Sequence, residues 1–121
     1  MIGPAPIPTR FVIEDAKVSA YLLDPSHVEG GAKCAFLVSV GFSIGDPNTL
    51  MLSLLRHPTP DRLTRCVVTP FGRRFHFDGP LPCPTGGVAN VRTVWQVDSA
   101  APADIARFIT LKPLPKPAPA R

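Results

Sequence analysis

A chain of 121 residues has room for one domain with one core, and 45% apolar against 18% charged residues is a globular rather than a disordered composition. The net charge of +4 favours a polyanion partner only as a general bias of the surface. Three cysteines, Cys34, Cys66 and Cys83, form no C-x-x-C pair, which argues against a zinc site or a disulfide framework and fits a reducing compartment.

No apolar run approaches the ~18 residues of a membrane span, and the first residues lack a charged-then-apolar signal pattern. A cytoplasmic protein is expected, or one delivered into the cytoplasm of another cell, with no membrane partner. There is no P-loop, no G-x-G-x-x-G, no H-E-x-x-H and no carboxylate cluster suited to a metal, so no metal or cofactor is expected. Of sixteen prolines, three lie in the first eight residues and four in the last nine. Alternating proline cannot donate to helix or sheet, so residues 1–9 and 114–121 read as extended tails around a folded unit of 10–113.

Within that unit the first half reads helical. Asp15 is a good N-cap for a helix running to about Leu23, where Asp24-Pro25 ends it. Val18 and Leu22 form an i, i+4 apolar pair, and Lys17 with Tyr21 form a polar one beside it. A polar turn from Ser26 to Gly31 leads into the apolar helix 32–40, which stops at Gly41 as at a C′ glycine. Asp46-Pro47 supplies an N-cap and a proline at the first position of a third helix, which runs out at His57-Pro58. His57 there reads as a capping cation.

The second half switches to period two. Leu63 to Thr69 is a strand, followed by a turn at Pro70-Phe71-Gly72. From Arg73 to Phe77 the phenylalanines take one face and Arg74 with His76 the other. The segment G-P-L-P-C-P-T-G-G, residues 79–87, reads as irregular loop. Val91, Thr93, Trp95 and Val97 form the next alternating face, and Ala106 to Leu111 is the last strand. The expected fold is α+β, with about three N-terminal helices packed on a four-stranded antiparallel sheet.

Lys17, Tyr21, His27 and Lys33 are the leading site candidates. Their bland alternative is a solvated helix edge and polar loop. The turn returns His27 toward the helical stripe of Lys17 and Tyr21, and Lys33 opens the next helix. Histidine moves protons near neutrality, a lysine near another lysine has its charged form disfavoured, and two ammonium groups with a phenol suit a phosphodiester. Arg92, opposite the core-facing Trp95, either pairs with an acid or clamps phosphate or carboxylate, with Arg74 and Arg107 beside it if the register allows. His76 reads as a satisfied surface residue and Cys34 as an inert core thiol.

These residues fall in the spacing K-x3-Y-L-x2-P-x-H-x2-G-x2-K-x-A-F-x4-G from Lys17 to Gly41. G-x-R-F follows at Gly72 to Phe75, V-R-T-x-W at Val91 to Trp95 and R-x2-T at Arg107 to Thr110. Together they resemble a widespread family of short bacterial proteins of unknown function, over about residues 11–113. The resemblance implies a toxin-like protein with a small antitoxin partner, similar in layout to the metal-independent ribonucleases of the barnase and RelE-like group. It implies catalytic roles for Lys17, Tyr21, His27, Lys33 and Arg92, and substrate contacts from Arg74, Thr93, Arg107 and Thr110. Where relatives carry an aromatic near the end of the last strand this chain has Lys112, and where they tend to be aliphatic it has His76. On this footing a metal-independent endoribonuclease acting on RNA is expected, with His27 or Lys17 as base and Tyr21 or His27 as acid. The alternative is a non-catalytic domain that binds an acidic protein through the same cluster.

Overall fold

The computed structural model describes residues 7–115. The outer parts of both expected tails, residues 1–6 and 116–121, lie outside the described residues. The chain opens with a short strand, β1 (Arg10–Val12), and runs through a helical turn α1 (Asp15–Lys17) that continues as a π-turn over Val18–Leu22. Helices α2 (Gly31–Ser39) and α3 (Pro47–Arg56) follow, then strands β2 (Leu63–Thr69), β3 (Gly72–Pro82), β4 (Val88–Asp98) and β5 (Ile105–Pro113).

The three expected helices are present, but the sheet differs from the expectation. It has five strands in the order β1-β5-β4-β3-β2 and is mixed, because β1 lies parallel to β5 while the other pairs are antiparallel. At three residues β1 is too short to show an alternation of its own, and only the tertiary pairing of Phe11 with Ala106 makes it a strand.

The expected loop at 79–87 is also corrected, since β3 continues through Gly79, Pro80, Leu81 and Pro82. Proline is tolerated there because β2 ends at the pair Leu63–Phe77, which leaves that edge of β3 open. Neither proline needs an N–H for a further strand, and Leu81 between them is fully buried.

Local chemistry explains the helix ends. Asp46 accepts a hydrogen bond from the Thr49 amide at 3.3 Å with Pro47 in the first turn, as its N-cap position requires. Gly41, at φ +104°, donates to Val38 while the Phe42 amide donates to Leu37, closing α2 with the double bond of a Schellman cap. The expected N-cap Asp15 is instead the first residue of α1, and Glu14 takes the N-cap position without a side-chain capping bond. The π-turn that follows closes with the Leu23 amide donating to the Val18 carbonyl at 2.8 Å.

The alternating faces pack as their pattern dictates. Phe75, Phe77, Leu81, Val91, Trp95, Phe108 and Leu111 meet Val18, Leu22, Leu37, Leu50 and Leu54 from the helices in one core. Trp95 is fully buried and meets Phe11 and Phe108 edge to face at 5.1 and 5.2 Å. The opposite face of the sheet carries Arg65, Arg74, His76, Asp78, Arg92, Gln96, Arg107, Thr110 and Lys112, aligned across the strands by register. His57 is no surface cation. It is fully buried and hydrogen-bonded to the Thr93 hydroxyl and the Gly79 carbonyl.

Candidate functional site

β1 covers only the first part of β5, through the pairs Arg10–Ile105 to Val12–Arg107. The chain then turns away into α1, so the rest of that edge of β5 is met by helix side chains instead of a strand. Lys17 donates to the Ile109 carbonyl at 3.2 Å, and the Tyr21 hydroxyl lies 2.8 Å from Thr110 Oγ1. The π-turn and the i, i+4 spacing of Lys17 and Tyr21 together aim both at one stretch of edge.

The following turn brings the next pair in. His27 packs edge to face on Tyr21 with centroids 5.1 Å apart. Its Nδ1 accepts from the amides of Glu29 at 3.1 Å and Gly30 at 2.9 Å. A nitrogen that accepts two N–H groups carries no proton, so the N–H of the His27 ring sits on Nε2, where it is left to donate. Gly30 is required by space: a Cβ there would stand 2.1 Å from the Tyr21 carbonyl oxygen. That close approach places the start of α2, and hence Lys33, over the Tyr21 ring at 5.8 Å, with Lys17 also within reach of it at 5.2 Å.

The result is an open cleft of about 600 Å³ lined by Lys17, Tyr21, His27, Lys33, Thr110 and Lys112, with Glu14 and Glu29 at its sides. Five of the expected site residues therefore converge: Lys17, Tyr21, His27, Lys33 and Thr110. Glu29 and Lys112 join them, Glu29 with nothing in its local sequence to single it out and Lys112 noted only as a departure from the family's pattern. Glu29 becomes notable only because its amide ties it to the His27 ring, and Lys112 only through its place on β5.

The other four expected residues lie elsewhere. Arg92 is held by Asp78 through two bonds of 2.8 and 2.9 Å on the exposed face of the sheet. This is the acid-pairing arrangement rather than a free phosphate clamp. Its link to the cleft is indirect, through its register partner Lys112. Thr93 points into the core, where it accepts from Trp95 Nε1 at 2.8 Å, and cannot reach a ligand on the surface. Arg74 and Arg107 share a separate depression at the far end of β5, Arg107 being bound to Asp98 at 2.8 Å.

Electrostatics separate these groups further. The hydrogen-bonded Arg92 guanidinium holds the Asp78 carboxyl below its usual range, and Arg107 does the same for Asp98. Burial, with Arg92 and Arg65 nearby, pushes the His76 imidazole down, and its Nδ1 is buried with no partner among the described residues. Burial raises the Cys34 thiol, consistent with an inert core cysteine. Among the described residues no three His, Cys, Asp or Glu side chains gather as metal ligands, and no helix is long and apolar enough to cross a membrane.

Arg92→Gln is expected to change any activity of the cleft by no more than a few-fold. It should let the Asp78 carboxyl rise toward the ordinary ~3.9, followed by NMR titration. The pair keeps partial exposure and contributes at most about 1 kcal/mol, present above pH ~4 and lost as pH falls through the depressed Asp78 value. A loss as large as that from a cleft lysine would place Arg92 in the site.

An α+β domain whose helices close over one strand edge to form a small basic cleft is the class that fold and geometry define. Residues 6–115 match the family described as "Domain of unknown function (DUF6883)", and the chain belongs to that family. A similar solved structure is titled "Contact-dependent growth inhibition toxin - immunity protein complex from Klebsiella pneumoniae 342". One of its chains aligns with a TM-score of 0.64 at 14% identity, over 84% of this chain and 92% of that one, which shows a shared fold. No curated protein matches this chain.

Proposed function

We propose that this chain is a toxin-type domain that cleaves RNA without a bound metal, with the Tyr21 cleft as its active site. The observation that carries the reading is the gathering of Lys17, Lys33 and Lys112 around Tyr21, His27 and Thr110 in one open cleft. Three ammonium groups beside two neutral donors suit a phosphodiester whose charge grows during substitution at phosphorus.

The 2′-hydroxyl attacks the adjacent phosphorus, the bond to the 5′-oxygen breaks, and a 2′,3′-cyclic phosphate and a 5′-hydroxyl result. Because His27 Nδ1 is occupied and Lys17 donates to Ile109, the nearby group suited to accept the 2′ proton is the Glu29 carboxylate. The Tyr21 hydroxyl, held by Thr110, protonates the leaving 5′-oxygen, and the charge left behind lies near the ammonium groups of Lys17 and Lys33. His27 Nε2–H donates to a non-bridging oxygen.

The shared fold supports the toxin-type reading, since the neighbour's title names a toxin and its immunity protein. A small acidic inhibitor protein is the partner this implies, and the cytoplasm of a target cell the place of action. That title also names a second component, which supports the other reading, a non-catalytic domain that binds an acidic protein through the same cleft.

The test is growth arrest on expression together with cleavage of RNA by purified protein in a chelator. Cleavage that persists in chelator is expected, with Lys33→Ala lowering the rate by roughly 10²-fold, as for loss of one group that stabilises a transition-state anion. Intact RNA, or cleavage abolished by chelator, would sink the reading. If Lys17, His27 and Lys33 variants each weaken partner binding in proportion to charge with no rate to lose, the binding module stands instead.

A further inference from the structure

At the far end of β5 lies a second depression of about 430 Å³, lined by Phe71, Arg74, Gln96, Asp98, Ser99 and Arg107 among others. Its polar groups form one chain. Arg74 Nε donates to Gln96 Oε1 at 3.0 Å, Gln96 Nε2 donates to Asp98 Oδ1 at 2.6 Å, and Arg107 Nε donates to Asp98 Oδ2 at 2.8 Å. Asp98 thus pairs directly with Arg107, while Arg74 reaches it only through the neutral Gln96 amide and has no carboxylate of its own in that chain of bonds.

The free charge is directional. Arg74 engages only its Nε, through a neutral amide, so its two terminal nitrogens have no protein partner among the described residues. That fork is the geometry that grips a phosphate with two parallel bonds. Beside it Phe71 is 72% exposed at the tip of the β2–β3 turn. The ring is no loose tip, because the Phe71 amide donates to Thr69 Oγ1 at 3.2 Å and its carbonyl accepts from the Ser99 amide at 2.9 Å. An anchored, exposed aromatic next to a free guanidinium is the pairing that holds a stacked base and its phosphate.

The depression and the cleft share a face. Arg107 pairs with Gln96, Thr110 with Val94 and Lys112 with Arg92, so all three β5 side chains point to the same side of the sheet as Arg74. Three residues along a strand with one bulge separate Arg107 from Thr110 by about 7–10 Å. That is a span that a short stretch of single strand covers.

We infer that the Phe71–Arg74–Arg107 depression is a second nucleotide subsite, in which Phe71 stacks a base and Arg74 takes its phosphate, so that the substrate is an extended single strand. The inference rests on the proposal that the cleft acts on RNA, and it adds the form of the substrate. A duplex would bury its base faces and offer Phe71 nothing to stack on.

The test compares a trinucleotide with a single-stranded oligonucleotide of about ten residues, within the usual range of such sites. Cleavage is measured on the RNA, and binding by anisotropy on 2′-deoxy versions that lack the nucleophile. Wild type is expected to favour the longer strand by at least tenfold in Kd. Phe71→Ala and Arg74→Gln should each erase most of that advantage while leaving cleavage of the trinucleotide within twofold. Equal length preference in wild type and Phe71→Ala, with cleavage intact, overturns the subsite and leaves the proposed activity standing. Absence of binding and cleavage with either strand overturns both. Displacement of the longer strand by polyglutamate equally well in wild type and Phe71→Ala assigns the face to an acidic protein and also overturns the subsite.

Discussion

Replacing Tyr21 by Phe is expected to lower the rate of RNA cleavage by about 10²–10⁴, the usual contribution of a positioned proton donor. The change removes one oxygen. It breaks the 2.8 Å contact with Thr110 but leaves the ring near Lys17 and Lys33 and against His27. The structural cost is therefore that of one part-buried hydrogen bond, about 1 kcal/mol, and the fold survives. Thr110→Val probes the same bond from its other end. There the phenol keeps its proton but loses its anchor, so a smaller loss is expected, and the double variant should be no worse than Tyr21→Phe alone. Single-turnover rates read this directly. An unchanged rate in Tyr21→Phe would remove the phenol from the chemistry and overturn its role as the acid.

The part of this site legible in the sequence was the part fixed by local geometry. Lys17 and Tyr21 share a stripe because they are four apart, and His27 and Lys33 return to it because a short turn joins two helices. Even the π-turn, which no pattern announced, did not disturb that grouping. The alternation alone already sets Thr93 with Trp95 on the core face and Arg92 on the other, at odds with the substrate contact that the resemblance implies for Thr93. What the sequence could not show depended on register. Whether an arginine is free then turns on its cross-strand neighbour, and Asp78 opposite Arg92 settles that. β1 and the prolines of β3 were missed for a related reason: both owe their strand character to which edge is open, a property of the assembled sheet.

His57 shows the same dependence on assembly, and its replacement should give the largest change in stability. In sequence it stands at a helix end before a proline, yet in the fold its ring is fully buried between α3 and the sheet. The bonds around it fix its state. The Gly79 carbonyl at 3.0 Å can only accept, so Nε2 carries the proton. Nδ1 then accepts from the Thr93 hydroxyl at 2.7 Å, whose oxygen accepts in turn from Trp95 Nε1 at 2.8 Å. Every polar group in this row is satisfied only while His57 is neutral, because with a second proton on Nδ1 the Thr93 oxygen would have to accept from both rings and its own O–H would lose its acceptor. Burial accordingly pushes the His57 pKa below its ordinary value, with nearby Arg62 acting in the same direction against the Gly79 bond. In the unfolded chain the residue titrates near ~6.5, so below that pH the unfolded state holds a proton that the folded state refuses. Stability is then complete above pH ~6.5 and falls as pH drops, by up to ~1.4 kcal/mol per pH unit until the folded value is reached. His76, also shifted down by burial, adds to the slope, and His76→Gln separates its share. His57→Ala should cost about 3–5 kcal/mol at pH 7.5, from the cavity and from the stranded Thr93 and Gly79 groups. The gap between variant and wild type should narrow toward pH 5, because only wild type still carries the protonation penalty. Urea unfolding at the two pH values measures it, and a gap that stays constant would show that His57 is not held neutral by this row of bonds.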